Sequence, residues 1–393
     1  MIRKRFPILL ILLFTVGFLN AQNMRKLIKK QFEFADKQYK ILQQHTPENR
    51  MPKTYYAKDN KWETSDTHWW CSGFYPGSLL YIYENTKDTF ALNEAERRLK
   101  ILQKEDHNTH THDLGFMMFT SFGNAYRITH NPLYKAVIDT SAAALSTRFR
   151  PKIPAIQSWD SSKKLRCPVI IDNMMNLELL CWDAQHGGSK RFQKIAELHA
   201  NTTMKNHFRK DYSSFHVVDY NPETGAIIKR VTAQGANDSS AWSRGQAWGL
   251  YGYTMMYRFT KDTAYLNQAK HIAHFILTNP NLPKDLIPYW DYNAPNLPDA
   301  PRDASAASVM ASAFLELGQY VDEKERKQYV ADAKKIIRNL SSPEYRAKLG
   351  ENGGFILKHS VGSLPAHSEV DVPLTYADYY FLEALHRYKE WYL

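Results

Sequence analysis

The chain has 393 residues, of which 44% are hydrophobic, 13% aromatic and 23% charged. This ordinary globular composition excludes global disorder, a collagen-like repeat and a coiled-coil rod. The chain has three cysteines, Cys71, Cys167 and Cys181, which are too few for disulfide bonds to stabilise a fold of this size. They also lack the paired spacing of a zinc site. The formal net charge is +11, but Lys and Arg are dispersed along the chain, which argues against a nucleic-acid partner.

The first 21 residues have the pattern of a cleaved secretory signal. Three basic residues and a 12-residue apolar run (8–19) precede Ala21, a small residue before a cut at Gln22. Such a run is too short to span a bilayer, which takes about 20 residues. We therefore expect an exported protein, periplasmic or secreted, with no membrane insertion after cleavage. Removing three basic residues lowers the formal charge from +11 to +8, and residues 22–393 are expected to form a single domain.

Apolar residues recur with the period of an α-helix along almost the whole of that domain. The spacing predicts twelve helices, over residues 23–45, 73–86, 90–105, 114–129, 132–149, 168–186, 189–208, 241–260, 263–279, 304–320, 323–342 and 375–391. A small β-hairpin is expected at HVVDY and AIIKRV, which flank the turn sequence NPETG at residues 221–225.

The predicted helices are of two kinds that largely alternate. Residues 93–105 are amphipathic and charged, whereas residues 115–128, 169–182 and 244–257 are apolar nearly all round. A helix that is apolar on every side must be surrounded by protein. Alternating surrounded and surface helices predict an all-α fold with two concentric rings of six, the (α/α)6 barrel. An irregular bundle or a solenoid is the alternative.

The long connections precede the apolar helices, and loops of this length in a compact domain usually carry function. They span residues 46–72, 150–167, 209–240, 280–303 and 343–374. If these loops share one end of the barrel, they form a cleft over the N-termini of the inner helices. Free N–H groups at those ends favour anions.

Two aspartates stand where nearly all-apolar helices are predicted to begin. Asp113 lies in HDLGFMM, and Asp172 lies in PVIIDNMMNLELL. An N-cap would explain Asp113 equally well. Asp172 has apolar residues on both sides, and burial would raise its pKa and keep a proton available for general acid catalysis. Two carboxyl groups in unequal surroundings resemble the acid/base pair of a glycosidase.

A third cluster lies in the segment QGANDSSAWSRGQAWGLYGY, residues 234–253. Gln234, Trp242, Arg244 and Trp248 surround the start of an apolar helix, and the last two share one helix face because they are four residues apart. Arg can hold a carboxylate through two parallel hydrogen bonds, and Trp can stack on a sugar ring. Core tryptophans with one structural salt bridge are the alternative.

Six motifs in chain order resemble the unsaturated glucuronyl hydrolases, glycoside hydrolase family 88. They are HWWCSGFYPG, HDLGFMM, IIDNMMN, QGANDSSAWSRGQAWGLYG, PRDASAAS and DYYFLEAL, and together they span essentially the whole chain after the signal. The resemblance implies an (α/α)6-barrel catalytic domain that removes the 4,5-unsaturated uronic acid from the non-reducing end of lyase-generated oligosaccharides. It implies an acidic oligosaccharide as substrate and no metal or organic cofactor.

The resemblance also implies a role for each matching residue. Asp172 is the general acid/base, which protonates C4 before water adds at C5 and the C1 sugar is released, and Asp113 is the second essential aspartate. The positions expected to line the unsaturated sugar are Trp70, His112, His216, Gln234, Trp242, Arg244 and Trp248.

The segment GGFILKHSVGS, residues 353–363, is expected on the rim of the cleft. Lys358, His359 and Ser360 there offer a cation, a titratable donor and a hydroxyl, a set suited to a sulfate ester. With the positive net charge, this predicts sulfated glycosaminoglycan disaccharides as substrates, and a solvated loop is the alternative.

Three other functions remain open on the residues alone. A related family of unsaturated rhamnogalacturonyl hydrolases shares this fold and chemistry. A glycosidase acting on saturated sugars would not require the C4=C5 bond, and a non-catalytic glycan-binding protein would need the aromatic residues without the two aspartates.

Overall fold

The computed structural model describes the backbone of residues 6–393 and the side chains from Gln22 onward. The predicted signal, residues 1–21, lies outside the residues whose side chains are described. In the described part of the chain, no helix is both long and apolar enough to cross a membrane.

Twelve helices dominate the described residues, and they correspond one to one to the predicted segments. They are α1 Phe6–Gln44, α2 Phe74–Thr86, α3 Thr89–Leu102, α4 Asn124–Thr129, α5 Pro132–Ser146, α6 Leu177–Gln185, α7 Lys190–Asn206, α8 Ser243–Thr260, α9 Thr263–Thr278, α10 Ala304–Leu317, α11 Glu323–Leu340 and α12 Thr375–Tyr392. A π-helical segment, Gly115–Gly123, leads into α4, and a 3₁₀ turn, Ile171–Asn176, leads into α6.

The even-numbered helices form a closed inner ring. Going round the ring, α2 packs on the π-helical segment before α4, that segment packs on α6, and α6, α8, α10 and α12 follow in order back to α2. The odd-numbered helices pack around them, with α3 on α2, α7 on α6, α9 on α8 and α11 on α10. The (α/α)6 barrel predicted from the alternation of helix types is therefore confirmed.

Helix caps distinguish the two rings. Side chains of Asp, Asn or Ser accept a hydrogen bond from an N–H group in the first turn of α3, α5, α7, α9 and α11, and these caps are Asp88, Asn131, Ser189, Asp262 and Asp322. Among the described inner helices only α10 has such a cap, Asp303. The N-cap residues of the others make no side-chain hydrogen bond, so free N–H groups remain at several points where the long connections enter the inner ring.

Four small antiparallel sheets are formed by the connections. Their strands are β1 Met51–Tyr56 with β2 Lys61–Ser65, β3 Phe149–Arg150 with β4 Ala155–Ile156, β5 Pro168–Ile170 with β6 Val217–Tyr220 and β7 Ile227–Val231, and β8 Ser360–Ser363 with β9 Ser368–Val372. Strands β6 and β7 are the predicted hairpin. The prediction that a helix begins at residue 168 is wrong, because residues 168–170 pair with β6. Asp172 therefore follows a strand.

A buried ion-pair network joins four inner helices at the opposite end of the barrel. Arg258 of α8 contacts Glu178 of α6 at 2.7 Å and Glu316 of α10 at 2.9 Å. Arg387 of α12 contacts Glu316 at 3.0 Å and Glu383 at 2.8 Å. Glu316, Glu383 and Arg387 are buried and need these partners, whereas the side chains of Arg258 and Glu178 keep 31% and 18% of their surface exposed. The network thereby holds these four inner helices together at the end of the barrel that lies away from the long loops.

Candidate active site

One cavity of about 500 Å³ lies at the N-terminal ends of the inner helices. Five of the six inner helices contribute to its lining: Trp70 precedes α2, Asp113 precedes the π-helical segment before α4, and Asp172 precedes α6, while Arg244 and Tyr376 lie in the first turns of α8 and α12. The volume is typical of a small-molecule site. The cleft predicted at this end of the barrel is present.

Asp172 is buried in the wall of this cavity, with 8% of its surface exposed. The segment is held from both sides, because the Ile171 N–H donates to the His216 carbonyl oxygen at 3.0 Å and the Asn173 side chain donates to the Ile156 carbonyl oxygen at 3.0 Å. Burial raises the pKa of Asp172 to about 7, although Arg244 acts in the opposite direction. This carboxyl group can therefore hold a proton near neutral pH.

His216 lies beside Asp172, with 3.5 Å between Nε2 and Oδ2. The backbone N–H groups of Ala233 and Gln234 point at His216 Nδ1, at 3.1 and 3.2 Å. Nδ1 is therefore the acceptor, and Nε2 carries the hydrogen that faces Asp172. Burial lowers the pKa of His216 to about 3, so the ring is neutral. The sequence predicts that His216 lines the sugar, but it lies behind the cavity wall, packed 4.7 Å from Trp242.

Asp113 lines the same cavity and is held by its neighbours in sequence. The Thr111 hydroxyl donates to Asp113 Oδ2 at 3.0 Å, and His112 Nε2 lies 3.3 Å from Oδ1. His112 is buried and also lines the cavity, and burial lowers its pKa. The negative charge of Asp113 adds to the raised pKa of Asp172. The two predicted aspartates thus share one site in unequal surroundings.

The segments that carry the two aspartates are joined through Asn176. Its side-chain oxygen accepts a hydrogen bond from the Phe116 N–H at 2.9 Å. Gly115 permits this approach, since a Cβ there would lie 2.4 Å from the Asn176 Cα atom. The glycine therefore sets the spacing between the Asp113 and Asp172 segments.

Arg244 is buried and is held mainly by protein acceptors. Its Nη1 group donates to Asp303 Oδ2 at 3.0 Å and to the Val361 carbonyl oxygen, and its Nη2 group donates to the Gly362 carbonyl oxygen at 2.7 Å. Gln234 Nε2 donates to the same Gly362 oxygen at 3.0 Å. Among the described residues Arg244 Nε is buried and has no hydrogen-bond partner. The sequence predicts that Arg244 binds a substrate carboxylate through two hydrogen bonds. In the structure, part of that hydrogen-bonding capacity is used by carbonyl oxygens of β8.

Trp242 and Trp248 do not line the cavity, so its lining does not support the prediction that they stack on the sugar. Trp242 packs against the Arg244 guanidinium at 4.6 Å. Trp248 is fully buried between Phe116 and Tyr380, with ring centroids 5.1 and 5.3 Å away. Each indole thus supports a wall of the cavity. Trp70 does line it, as predicted.

Lys358, His359 and Ser360 also lie away from the cavity, because this part of the loop packs outward. Lys358 Nζ donates to the Pro343 carbonyl oxygen at 2.9 Å. His359 Nδ1 lies 2.6 Å from Asp371 Oδ1, and Ser360 is fully buried. The cavity lining therefore does not support the sulfate site predicted at these three residues.

Several residues that line the cavity are not among the predicted site residues. Trp159 comes from the loop before β5, and Ser363, Ser368 and Glu369 come from β8 and β9. These positions lie in connections without helical periodicity, so no pattern marked them. Tyr376 could have been found, because it occupies the first turn of an inner helix, as Arg244 does.

The arrangement combines a carboxyl group that keeps its proton, a second carboxylate, a neutral imidazole and a buried guanidinium group. Such a set suits acid catalysis on an anionic sugar. Among the described residues, no three His, Cys, Asp or Glu side chains converge as metal ligands.

Comparison with known proteins shows the family of the chain. The model of Glycosyl Hydrolase Family 88 matches residues 34–391. An unsaturated glucuronyl hydrolase of Formosa agariphila is 41% identical over 96% of this chain and 97% of its own length. An unsaturated chondroitin disaccharide hydrolase of Streptococcus pyogenes is 33% identical over 85% of each chain. The crystal structure of an unsaturated glucuronyl hydrolase specific for heparin superposes with a TM-score of 0.89, at 47% identity, over 93% of this chain and 97% of the other. The chain therefore belongs to glycosyl hydrolase family 88.

Proposed function

We propose that this glycoside hydrolase removes a 4,5-unsaturated uronic acid from the non-reducing end of glycosaminoglycan fragments by hydrating the C4=C5 bond. The observation that carries the proposal is Asp172, a buried carboxyl group whose pKa is raised to about 7 beside Asp113 and His216. The names of the relatives support the substrate class.

In the first step, Asp172 donates its proton to C4 of the vinyl ether, and positive charge develops at C5 and O5. Water then adds at C5 and returns a proton to the Asp172 carboxylate, so one residue acts as acid and base. The hemiketal opens and releases the sugar bound at C1. The His216 Nε2–H stabilises the carboxylate between the two steps, and Asp113 disfavours loss of the proton before substrate binds.

The substrate carboxylate fits the anion-favouring part of the cavity. Arg244 lines that part, and the inner helices α8 and α12 begin at the same wall without side-chain caps. Both features stabilise negative charge. The sugar ring packs against Trp70, and a second ring is in reach of Trp159.

The test follows the loss of ultraviolet absorbance of the C4=C5 chromophore in unsaturated disaccharides from chondroitin, hyaluronan and heparin. Asp172→Asn should lower turnover by about 10²–10⁴-fold or more, because shape is kept and the proton is lost. Asp183→Asn is the matched control, since Asp183 lies in α6, is buried outside the cavity and also has a pKa raised to about 7.

Three outcomes would contradict the proposal. If the Asp172→Asn variant keeps a third of wild-type activity, Asp172 is not the general acid. Equal loss in Asp183→Asn would indicate a folding effect. Binding of the disaccharides without loss of absorbance by the wild-type protein would indicate a glycan-binding protein.

We further propose that residues 1–21 direct export and are removed, on the basis of the basic head and apolar run alone. N-terminal sequencing of the protein from the periplasm or medium of expressing cells should begin at Gln22. Intact protein that starts at Met1 in the cytosol would contradict this.

A further inference from the structure

A second cavity lies at the other end of the barrel, where the inner helices end, and the reaction proposed above does not use it. Its volume of about 670 Å³ exceeds that of the active-site cavity and is typical of a small-molecule site. Residues of α2, α4, α6, α8 and α12 line it. Two of the lining residues are exposed, Trp391 by 40% and the side chain of Arg127 by 43%. The second cavity therefore opens to solvent.

The π-helical segment Gly115–Gly123 forms one side of the second cavity. Phe119, Thr120 and Gly123 line it, and Phe116 is the one residue of this segment that also lines the active-site cavity. A π-helix is rare and occurs frequently at functional sites. The active site accounts for the start of this unusual segment, whereas its remainder faces the second cavity.

Aromatic rings cover the wall next to this segment. The Trp182 indole lies 5.7 Å from the Phe119 ring and 5.6 Å from the Tyr126 ring, measured between ring centroids. All three side chains line the second cavity and are partly exposed, so ring surface is available to a ligand. A sugar ring packs its C–H groups against aromatic surfaces of this kind.

A carboxylate and a guanidinium group lie together in the same cavity. Glu178 Oε1 accepts a hydrogen bond from Arg258 Nη2 at 2.7 Å, and both side chains line the cavity and are partly exposed. Adjacent hydroxyl groups of a sugar suit such a pair, because one donates to the carboxylate while the next accepts from the guanidinium group. Glu383, in the same wall, is 4% exposed, and its Oε2 has no hydrogen-bond partner among the described residues. A buried acceptor of this kind is costly unless a donor reaches it.

The charges of the lining favour a neutral ligand over an anionic one. Each of the three arginines is already paired with a carboxylate, and the pairs are Arg127 with Glu84 at 2.7 Å, Arg258 with Glu178 at 2.7 Å and Arg387 with Glu383 at 2.8 Å. A paired guanidinium group leaves little positive potential for an added carboxylate. The second cavity differs in this respect from the active site, which must hold a uronic acid.

We infer that the second cavity is a binding site for a neutral sugar, whose ring packs against Trp182 and whose hydroxyl groups bind Glu178 and Arg258. The inference goes beyond the proposed function and does not depend on it, because the two cavities lie at opposite ends of the barrel.

Calorimetric titration of the protein with glucose and with glucuronate tests the inference. The two sugars differ only at C6, where glucuronate carries a carboxylate. Trp182→Leu should weaken glucose binding about three- to tenfold, because the contact with the indole is lost. The same variant should leave any binding of glucuronate within about twofold of wild type, since this cavity offers an anion no unpaired arginine.

Trp159→Leu is the matched control, because it removes a partly exposed indole from the active-site cavity instead. Glucose binding should be unchanged in this variant. Loss of glucose binding in Trp159→Leu but not in Trp182→Leu would place the sugar in the active site and overturn the inference. Equal weakening of glucose and glucuronate binding by Trp182→Leu, or no binding of glucose to the wild-type protein at millimolar concentrations, would overturn it as well.

A second variant protects the test against misfolding. Thr120 is half-buried and lines the second cavity, so Thr120→Tyr fills the cavity with a ring and removes no packed aromatic side chain. It should weaken glucose binding at least as much as Trp182→Leu, and the unfolding midpoints show whether both variants are folded. Unchanged glucose binding in both folded variants would contradict the site. Failure of the wild-type protein to consume unsaturated disaccharides would overturn the proposed function and leave this inference standing.

Discussion

Replacing Asp172 by Asn should stabilise the fold above neutral pH while it abolishes activity. The folded protein holds this carboxyl group with a pKa raised from 3.8 to about 7 because of burial. Between these values the unfolded chain has lost the proton and the folded protein still binds it. The free energy of unfolding of the wild-type protein therefore contains a part that decreases as pH rises from about 4 to 7. The asparagine variant lacks that part.

The expected size follows from the same two pKa values. At about 1.4 kcal/mol per pH unit, the difference corresponds to about 4 kcal/mol at pH 8, when Asp172 is ionised in the folded wild-type protein. The variant should therefore be more stable than wild type at pH 8 by up to about this amount, and the two should be nearly equal at pH 4.

The assay is urea unfolding of both proteins followed by tryptophan fluorescence at several pH values. Other groups that titrate in this range, such as Asp378, whose pKa burial also raises to about 7, are common to both proteins and cancel in the difference. A stability difference that does not change between pH 4 and 8 would refute the argument that Asp172 is kept protonated by burial.

Three further predictions concern the pH profile, the barrel network and the spacing of the site. The turnover number should fall as pH rises above about 7, since Asp172 then loses the proton it must donate, and a flat profile from pH 6 to 9 would contradict this. Glu316→Gln should lower the free energy of unfolding in urea by about 3 kcal/mol, because Arg258 and Arg387 each lose a buried partner. Gly115→Ala should lower both stability, by about 1–3 kcal/mol, and kcat, because the added Cβ meets the backbone of the 3₁₀ turn that carries the general acid. Unfolding midpoints and absorbance-based kinetics of the last variant check both effects.

The barrel could be predicted from the sequence because apolar residues recur along the chain with the period of an α-helix. Most inner helices are apolar nearly all round and most outer helices are amphipathic, so the sequence indicates which helices are surrounded by protein. The prediction that a helix begins at residue 168 is wrong for a related reason. Val169 and Ile170 are apolar in either conformation, and only pairing with β6, nearly 50 residues away, decides for a strand.

The active site could be predicted only where it coincides with those helices. Asp113 and Asp172 stand out because a carboxyl group next to a fully apolar segment is unusual. Trp159 and Glu369 reach the cavity through tertiary folding of loops, which leaves no local pattern. Trp248 shows the opposite error, since an aromatic residue near the start of an inner helix can face the core as well as the substrate.

The central claim is hydration of the C4=C5 bond, and isotope incorporation during turnover tests it most directly. In heavy water, protonation by Asp172 should place one deuterium at C4 of the released keto acid. In ¹⁸O-water, the new oxygen should appear at C5 of that product and not at the anomeric carbon of the released sugar. Label at the anomeric carbon, absence of deuterium at C4, or efficient cleavage of a saturated glucuronide would contradict the account.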